Sequence, residues 1–400
     1  MQPLKITIYG DFWDVQIYKD RLYLWDMNGD LYIYNWGKSI ESMYNKDKFI
    51  ELPIICGFSR GDYLYNSNFD LIYKDSEIKS LILRKFNKVS SRENVLDLKT
   101  MALRAKQKNP FPELQTDSEI HYNNIYAVMQ KGLLSAKAQR SSRKYPVSSR
   151  PEKIWDCPNI QSIKANSKRL LLSGCSEGLF EFLIDNRENF YPTTFKKIDG
   201  KIIQLSKRHS LISAYAFSSI YSTSDIGGSF LIANYWDKID NNWKLKFNKF
   251  YEESYIFSGV DKGFSWAENE KIYYAKKGHT MKVSRFTQSN INKSDKPVFE
   301  TLDNKYSNDV NEKDIVSAGV AQFGTIIEDL NGISILLSDG NEYRINGDVI
   351  RWRVYPRSKR YMNHLHVILN DRIEIYSFNH DYFIDQKTKI FGIKPVESKN

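Results

Sequence analysis

Cysteine is scarce in this chain of 400 residues: only Cys56, Cys157 and Cys175 occur. Their odd number, wide spacing and lack of any Cys-x-x-Cys pair exclude a disulfide framework and the ligand spacing of a structural zinc site. Because thiols without a partner survive best in a reducing compartment, the cysteines favour a location inside the cell.

Long apolar runs are also missing. No segment reaches the roughly 18 consecutive apolar residues that a membrane-spanning helix needs, and residues 1–9 lack the apolar core and cleavage pattern of a secretory signal. We therefore expect a soluble, cytoplasmic protein with no membrane partner.

Motifs that carry chemistry are absent as well: the chain has no Gly-rich phosphate loop, no nucleophile elbow and no zinc-protease helix. His364 and His366 would share one face of a strand and reach one metal ion, but no third ligand lies near them in the sequence. The alternative for this pair is a half-buried strand surface. We predict a protein that is not an enzyme and holds no cofactor and no metal.

Aromatic hairpins are what the sequence has in abundance. The chain contains 26 Tyr and 22 Phe, which favour strands over helices. In the segment 21–36, apolar and aromatic residues alternate on both sides of Asn28-Gly29, the strongest short signal for a tight turn between two strands.

This hairpin pattern recurs along the chain. The repeats lie at 70–86, 125–134, 170–182, 230–247, 271–286, 333–345 and 365–376. Their turns return about every 49 residues, a period that suits a four-stranded propeller blade.

Two hairpins carry a Trp-Asp pair, Trp25-Asp26 and Trp236-Asp237. Each resembles the Trp-Asp that ends the third strand of a blade in WD40 proteins. The resemblance covers most of the chain at the level of architecture and implies a divergent WD40-like β-propeller, without pointing to a specific family. In such a fold Trp25 and Asp26 would build the end of a blade and would not form a site.

The fold class predicted here is all-β, a β-propeller of seven blades, with eight blades as the alternative. The alternating segment 4–9 is expected to complete the last blade, next to strands at 349–355, 365–369 and 373–378. Residues 1–400 would then form a single domain closed by strands from both ends.

Positive charge is concentrated between residues 88 and 150, where twelve Lys/Arg face five Asp/Glu, or +7 of the chain's net +10. Ser90 and Glu93 have the spacing of a capping box, and the apolar residues that follow predict a helix over about 91–107. Residues 137–150 have the composition of an irregular linker. Together these features predict a basic insertion at 88–150 with one helix.

Candidate binding residues lie in the linker of this insertion. They are Arg140, Arg143, Lys144 and Arg150, with Tyr145 available for stacking. One interpretation is an arm that contacts an acidic protein surface or a phosphate backbone; the other is a solvated loop that only aids solubility.

One further motif points to an enzyme. Residues 223–230 partly resemble the Asp-box of sialidase-like propellers, although those enzymes repeat the box in several blades and this chain has one copy. The box is a turn motif in that family, so the copy implies architecture more than catalysis.

These observations predict a non-enzymatic interaction or scaffold subunit of an intracellular multiprotein complex, which binds protein partners through the propeller faces and the basic insertion. Nucleic-acid binding through 88–150 is the first alternative. A propeller enzyme acting on carbohydrate is the second.

Overall fold

The computed structural model describes most of the chain at the level of individual residues. The described residues are 2–45, 47–66, 68, 70–130, 132–138, 147, 150–156, 160–166, 169–174, 179–184, 203–206, 211–215, 219–223, 229–239, 242–260, 263–268, 271–287, 298–302, 306–308, 311–383 and 389–393.

Strands dominate the described residues. The first fifteen are β1 (Leu4–Tyr9), β2 (Phe12–Tyr18), β3 (Arg21–Asp26), β4 (Leu31–Asn35), β5 (Leu103–Gln107), β6 (Asp117–His121), β7 (Asn124–Met129), β8 (Gly132–Lys137), β9 (Glu152–Trp155), β10 (Ser162–Asn166), β11 (Arg169–Ser173), β12 (Leu179–Leu183), β13 (Ile203–Ser206), β14 (Leu211–Tyr215) and β15 (Ser219–Thr223). The remaining strands are β16 (Ser229–Ile239), β17 (Asn242–Glu252), β18 (Phe264–Glu268), β19 (Lys271–Ala275), β20 (His279–Thr280), β21 (Lys282–Thr287), β22 (Val298–Leu302), β23 (Ser307–Asn308), β24 (Ile315–Ala321), β25 (Gly324–Asp329), β26 (Gly332–Leu337), β27 (Glu342–Asn346), β28 (Val349–Val354), β29 (His364–Leu369) and β30 (Arg372–Ser377).

The described residues contain few helices, and four of these five are close together in the chain. They are α1 (Trp36–Tyr44), α2 (Glu51–Phe58), α3 (Asp70–Lys74), α4 (Ser76–Ser90) and α5 (Glu253–Ile256), with short 3-10 helices at Gly61–Tyr65 and His380–Phe383.

The strands form four-stranded antiparallel sheets, each built mostly from strands that follow one another in the chain. In chain order the sheets are sheet 1 (β2-β3-β4-β5), sheet 2 (β6-β7-β8-β9), sheet 3 (β10-β11-β12-β13), sheet 4 (β14-β15-β16-β17), sheet 5 (β18-β19-β21-β22), sheet 6 (β24-β25-β26-β27) and sheet 7 (β28-β29-β30-β1); β20 pairs only with β23. A series of such four-stranded sheets is the construction of a β-propeller, so the predicted fold class is confirmed.

Two compact units divide the described chain. One comprises residues 1–110, 140–146 and 320–400, and the other comprises 111–139 and 147–319. Each of six sheets lies wholly within one unit or the other. Sheet 6 is the exception, because its strand β24 begins in the unit that contains 147–319 and ends in the unit that contains 320–400. Six four-stranded sheets are therefore complete blades, so the predicted number of seven or eight blades is wrong.

Sheet 7 joins residues from distant parts of the sequence. The strand at residues 4–9, expected to complete the last sheet, pairs antiparallel with β30 in a register that runs from Leu4 opposite Ser377 to Tyr9 opposite Arg372. The side chains of Leu4, Ile6 and Ile8 are buried, which fixes this register because a slip by one residue would turn them outward.

The turn that joins β3 to β4 shows why these residues form a hairpin. The Asp26 carboxylate accepts hydrogen bonds from the backbone N–H groups of Asn28 and Asp30, each at 2.9 Å, and Gly29 adopts φ of 81°. Trp25 is fully buried beside Tyr23. Trp25 and Asp26 are therefore structural, as the sequence indicates.

A helical insertion separates β4 from β5 within sheet 1. We use this name for residues 36–102, which contain α1 to α4. The prediction of a hairpin at 70–86 is wrong: Asp75 caps α4 by accepting hydrogen bonds from the N–H groups of Glu77 and Ile78, and Ile82, Phe86 and Val89 bury one helical face.

The predicted helix at 91–107 is also wrong, because α4 ends at Ser90 and residues 103–107 form strand β5. Thr7 donates its N–H to the carbonyl of Asn94, and Leu96 donates to the carbonyl of Thr7, both at 2.9 Å. This pairing with the edge of β1 extends the segment and overrides its helical spacing. The range 88–150 is thus not one insertion, since it contains β5 of sheet 1 and β6 to β8 of sheet 2.

The helical insertion packs tightly on sheet 7. Its apolar residues share one core with residues of β1, β29 and β30, including Trp36, Ile54, Phe58, Phe86, Ile6, Ile368 and Ile373. At Gly57 of α2 the approach is so close that an added Cβ atom would lie 2.7 Å from the Leu4 Cδ1 atom. Gly57 therefore lets α2 lie against β1.

We expect Gly57→Ala to destabilise the protein by about 1–3 kcal/mol, because the new methyl group overlaps Leu4 in a packed core. The same substitution in an exposed helix would stabilise by about 1 kcal/mol. Denaturant unfolding monitored by fluorescence measures the difference.

Ser80→Ala, on the exposed side of α4, is the control and should leave stability unchanged or slightly raised. A Gly57→Ala protein as stable as the wild type would show that α2 does not rest on β1.

Candidate interaction surface

Most of the predicted binding residues lie outside the described residues. This applies to Arg140, Arg143, Lys144 and Tyr145. Arg150 is described and is exposed. The structure therefore neither brings the five residues together nor separates them, and their role stays a prediction.

The Asp-box prediction falls largely outside the described residues too. Residues 224–228 are not described, while Thr223 ends β15 and Ser229 begins β16.

One excess of positive charge in the described residues lies at 79–108. This range holds nine Lys/Arg and two Asp/Glu, a net charge of +7. It begins in α4 and ends just beyond β5. The sequence prediction missed the helical part because it assigned residues 79–86 to a strand.

The exposed side of α4 combines this charge with apolar area. Leu81, Arg84 and Lys88 follow one another at helical spacing on the solvent side, and 48% of the Leu81 surface is exposed. The opposite side carries the buried Ile82 and Phe86, so burial in the core fixes which face of α4 points outward.

Phe49 extends this surface, since 38% of it is exposed. The ammonium groups of Lys85 and Lys88 lie 5.3 and 4.5 Å from the centre of its ring, within the range of cation–π contacts. We define the helix 4 surface as Phe49, Leu81, Arg84, Lys85 and Lys88.

One ion pair borders the helix 4 surface. The Arg92 guanidinium lies 3.0 Å from Asp47, and its hydrogen bond holds the pKa of that carboxyl below the usual range. Exposed pairs of this kind add little stability, but they fix the position of the side chains at the border.

Strand β5 and the residue just beyond it carry further positive charge on the outer edge of sheet 1. Arg104, Lys106 and Lys108 are exposed, and the Lys106 ammonium lies 4.8 Å from the centre of the Tyr32 ring. Charged side chains on an edge strand oppose pairing with another sheet. This role is sufficient to explain the β5 cations.

Behind the helix 4 surface, a buried chain of hydrogen bonds holds the helical insertion. His364 Nε2 lies 2.8 Å from the Gly57 carbonyl oxygen, which can only accept, so Nε2 carries the proton. His364 Nδ1 is then the acceptor for His366 Nε2 at 3.3 Å, and His366 Nδ1 accepts from the Tyr355 hydroxyl at 3.2 Å. Ile17 donates its N–H to the same hydroxyl. Every donor and acceptor is therefore assigned, and both imidazoles are neutral.

Burial supports the neutral state. It lowers the pKa of His364 to about 4, against the opposing effect of the bond to Gly57. Burial also lowers the pKa of His366, as do the neighbouring His364 and Arg353. Asn363 adds to the same attachment, because its side-chain amide lies 3.2 Å from the Gly57 carbonyl and 2.6 Å from the Ser377 hydroxyl.

A buried ion pair lies beside Tyr355 and His366. Asp14 on β2 is fully buried and accepts two hydrogen bonds from Arg353 on β28, at 2.7 and 2.8 Å. Arg351 approaches the same carboxylate at 3.8 Å, and its guanidinium lies 5.5 Å from the centre of the Trp13 ring. Bidentate geometry is the strong form of this contact, and it joins the inner strands of sheets 1 and 7.

Neither histidine is a candidate metal ligand, because all four ring nitrogens already have partners. Within the described ranges no group of three His, Cys, Asp or Glu residues has the geometry to hold a metal ion. No helix of the described chain is long and apolar enough to cross a membrane.

Acidification should loosen this attachment. In the unfolded chain His364 binds a proton near pH 6.5, whereas in the folded chain it stays neutral down to about pH 4. Stability from this group is complete above pH 6.5 and falls as the pH drops from 6.5 to 4, by about 3 kcal/mol in total. Urea unfolding at pH 7.0, 5.5 and 4.5 measures the slope.

A His364→Gln variant should be less stable at pH 7 and should show a shallower dependence on pH over the same range. An equal slope in both proteins would contradict the assignment of the proton uptake to His364.

Asp14→Asn should destabilise the protein by about 3 kcal/mol or more, since it leaves the Arg353 charge buried without its carboxylate. Lys5→Gln is the matched control, because it breaks the half-exposed pair of Lys5 with Glu374 and should cost no more than about 1 kcal/mol. Thermal unfolding of the two variants distinguishes these expectations, and equal losses would contradict them.

No protein-family model matches this chain, and a search of curated proteins gives no match. Among solved structures, the chain is similar to the β-propeller domain of Cps50 (Swd1) from Myceliophteria thermophila, at 10% identity and a TM-score of 0.47, covering 94% of this chain and 100% of that one. It is also similar to the computationally designed Ika8 protein, at 8% identity and a TM-score of 0.42, covering 94% of this chain and 100% of that one. A third similar structure is BamB from Moraxella catarrhalis, at 9% identity and a TM-score of 0.39, covering 92% of this chain and 82% of that one. Likenesses this weak carry no argument about function, and the chain is best described as a divergent β-propeller.

Proposed function

We propose that this protein is a non-enzymatic interaction subunit that binds a protein partner through the helix 4 surface of its helical insertion. The observation that supports the proposal most is that two exposed apolar side chains, one on α4 and one beside it, lie together with positive charge on a rigidly held surface. The propeller serves as the holder, and the insertion provides the contact.

Rigidity matters because an ordered surface loses less conformational entropy when it binds. The helical insertion is fixed to sheet 7 by a shared core and by the bonds from His364 and Asn363 to Gly57. A loop that only joined β4 to β5 would need a few residues. The size and firm attachment of the insertion suggest selection for a binding role.

The chemistry of the helix 4 surface defines the partner. Leu81 and Phe49 supply apolar contact area, and Arg84, Lys85 and Lys88 surround it with positive charge. The complementary surface has an apolar centre and an acidic rim, which is a protein surface and not a nucleic-acid backbone.

The proposal has two further parts that rest on the same chain. The protein works in the cytoplasm, in keeping with the buried free thiol of Cys56, whose pKa burial raises to about 12. It works in a complex with other proteins.

The test is purification of tagged wild-type and Arg84→Glu/Lys88→Glu proteins from native cells, followed by cross-linking. We expect the wild type to carry a stoichiometric partner whose cross-links reach α4, and the variant to bind that partner at least about tenfold more weakly because two attractive charges become repulsive. Leu81→Ser should weaken the same complex through loss of apolar contact.

Lys99→Glu/Lys313→Glu changes the net charge by the same amount at two other exposed sites and should leave the complex intact. A wild-type chain that runs as a monomer without a partner would count against the proposal. Binding to a DNA or RNA duplex that weakens steeply with salt and depends on Arg84 and Lys88 would favour the nucleic-acid alternative instead.

A further inference from the structure

A second basic feature lies away from α4, on the connection between β28 and β29. Residues 349–370 contain five Lys/Arg and no Asp or Glu. Two of them, Arg351 and Arg353, contact the buried Asp14. The other three, Arg357, Lys359 and Arg360, are exposed on the turn that follows. We call residues 355–363 the basic turn.

The basic turn is held in one conformation by its own backbone. Ser358 donates its N–H to the Tyr355 carbonyl at 2.9 Å, and Tyr361 donates its N–H to the Ser358 hydroxyl at 3.2 Å. His364 donates its N–H to the Tyr361 carbonyl at 3.0 Å. The turn is thus defined at both ends and in the middle.

Buried side chains at the end of the turn hold it against the core. Tyr361, Met362 and Asn363 are each at most 4% exposed. The Gly61 N–H donates to the Arg360 carbonyl at 3.1 Å, and a Cβ atom at Gly61 would lie 2.7 Å from that oxygen. The helical insertion therefore packs against the turn and restricts its backbone, while the three cations of the turn remain exposed.

Nearby carboxylates have partners of their own. Asp62 forms two hydrogen bonds with Arg60, both at 3.0 Å, and Asp20 accepts from the N–H of Gly37 at 3.1 Å. The basic turn itself contains three cations and no acidic residue, so its net charge is positive, and an anion is the ligand that matches it.

We infer that the basic turn binds an acidic peptide segment, a run of Asp or Glu residues in an extended stretch of a partner protein. Arginine and lysine side chains on a preorganised backbone give charge-assisted hydrogen bonds to carboxylates, and guanidinium groups do so in bidentate form. Three exposed cations within four residues match the carboxylates of a short acidic stretch. Affinity for a nucleic-acid duplex grows with the number of phosphates neutralised, and the three cations of this turn neutralise few of them. The inference does not depend on the helix 4 surface.

The experiment is fluorescence anisotropy with a labelled ten-residue peptide of alternating Asp and Glu. The full chain should bind this peptide, should bind its Asn/Gln counterpart much more weakly, and should lose affinity as salt is added. Arg357→Gln/Lys359→Gln/Arg360→Gln should reduce affinity for the acidic peptide by about tenfold or more. Because these positions are exposed, the variant should keep the thermal unfolding temperature of the wild type.

Arg84→Gln/Lys85→Gln/Lys88→Gln is the matched control, since it removes the same charge from the helix 4 surface. We expect it to bind the acidic peptide like the wild type, so that failure here and failure of the proposed function remain distinguishable. Equal affinity of the turn variant and the wild type, or an equal loss in both triple variants, would overturn the inference. So would tighter binding of a ten-nucleotide RNA through the same three residues, which would make the turn a nucleic-acid site.

Discussion

The attachment of the helical insertion depends on how the buried C-terminal end of α2 satisfies its carbonyl groups. The last carbonyls of a helix have no partner within the helix, and a buried end must find donors elsewhere. The Gly57 carbonyl accepts from His364 and Asn363, and the Phe58 carbonyl accepts from the indole N–H of Trp36. These side chains come from β29, from the basic turn and from α1, so one requirement of hydrogen bonding ties three elements together. Because the Gly57 carbonyl can only accept, it determines which group donates in each hydrogen bond of the series from Gly57 through His364 and His366 to Tyr355.

Local alternation made most of the fold predictable. Hairpins such as β3-β4, β11-β12 and β29-β30 lie where the sequence places them, because their apolar periodicity and their turn residues indicate the same structure. The pairing of β1 in sheet 7 follows from the alternation of Leu4, Ile6 and Ile8. Where the fold was mispredicted, tertiary contacts decided. The segment at 94–96 pairs with Thr7 despite its helical spacing, and Asp75, interpreted as part of a turn, is the N-cap of a helix.

The candidate surfaces were less predictable for a related reason. The charge excess was visible in the sequence, but only the helix shows that Leu81, Arg84 and Lys88 share one exposed face. The histidine pair was visible as two residues on one strand face. Its structural role depends on Gly57, some 300 residues away in the chain, and no local pattern shows that contact. The five cations at 351–360 have no acidic residue among them, a signal that a charge count with a shorter window detects.

The pairing of β1 with β30 has a consequence for the order in which the chain is able to fold. Leu4 lies opposite Ser377, so β1 lacks its sheet partner β30 until more than 370 further residues have left the ribosome. The helical insertion waits for more than 300 further residues, because the Gly57 carbonyl binds the side chains of residues 363 and 364. Contacts between such distant residues slow folding and leave apolar strands and helices uncovered in the meantime. The early part of this chain is therefore synthesised long before its final neighbours, and its apolar strands and helices need protection from aggregation while translation continues.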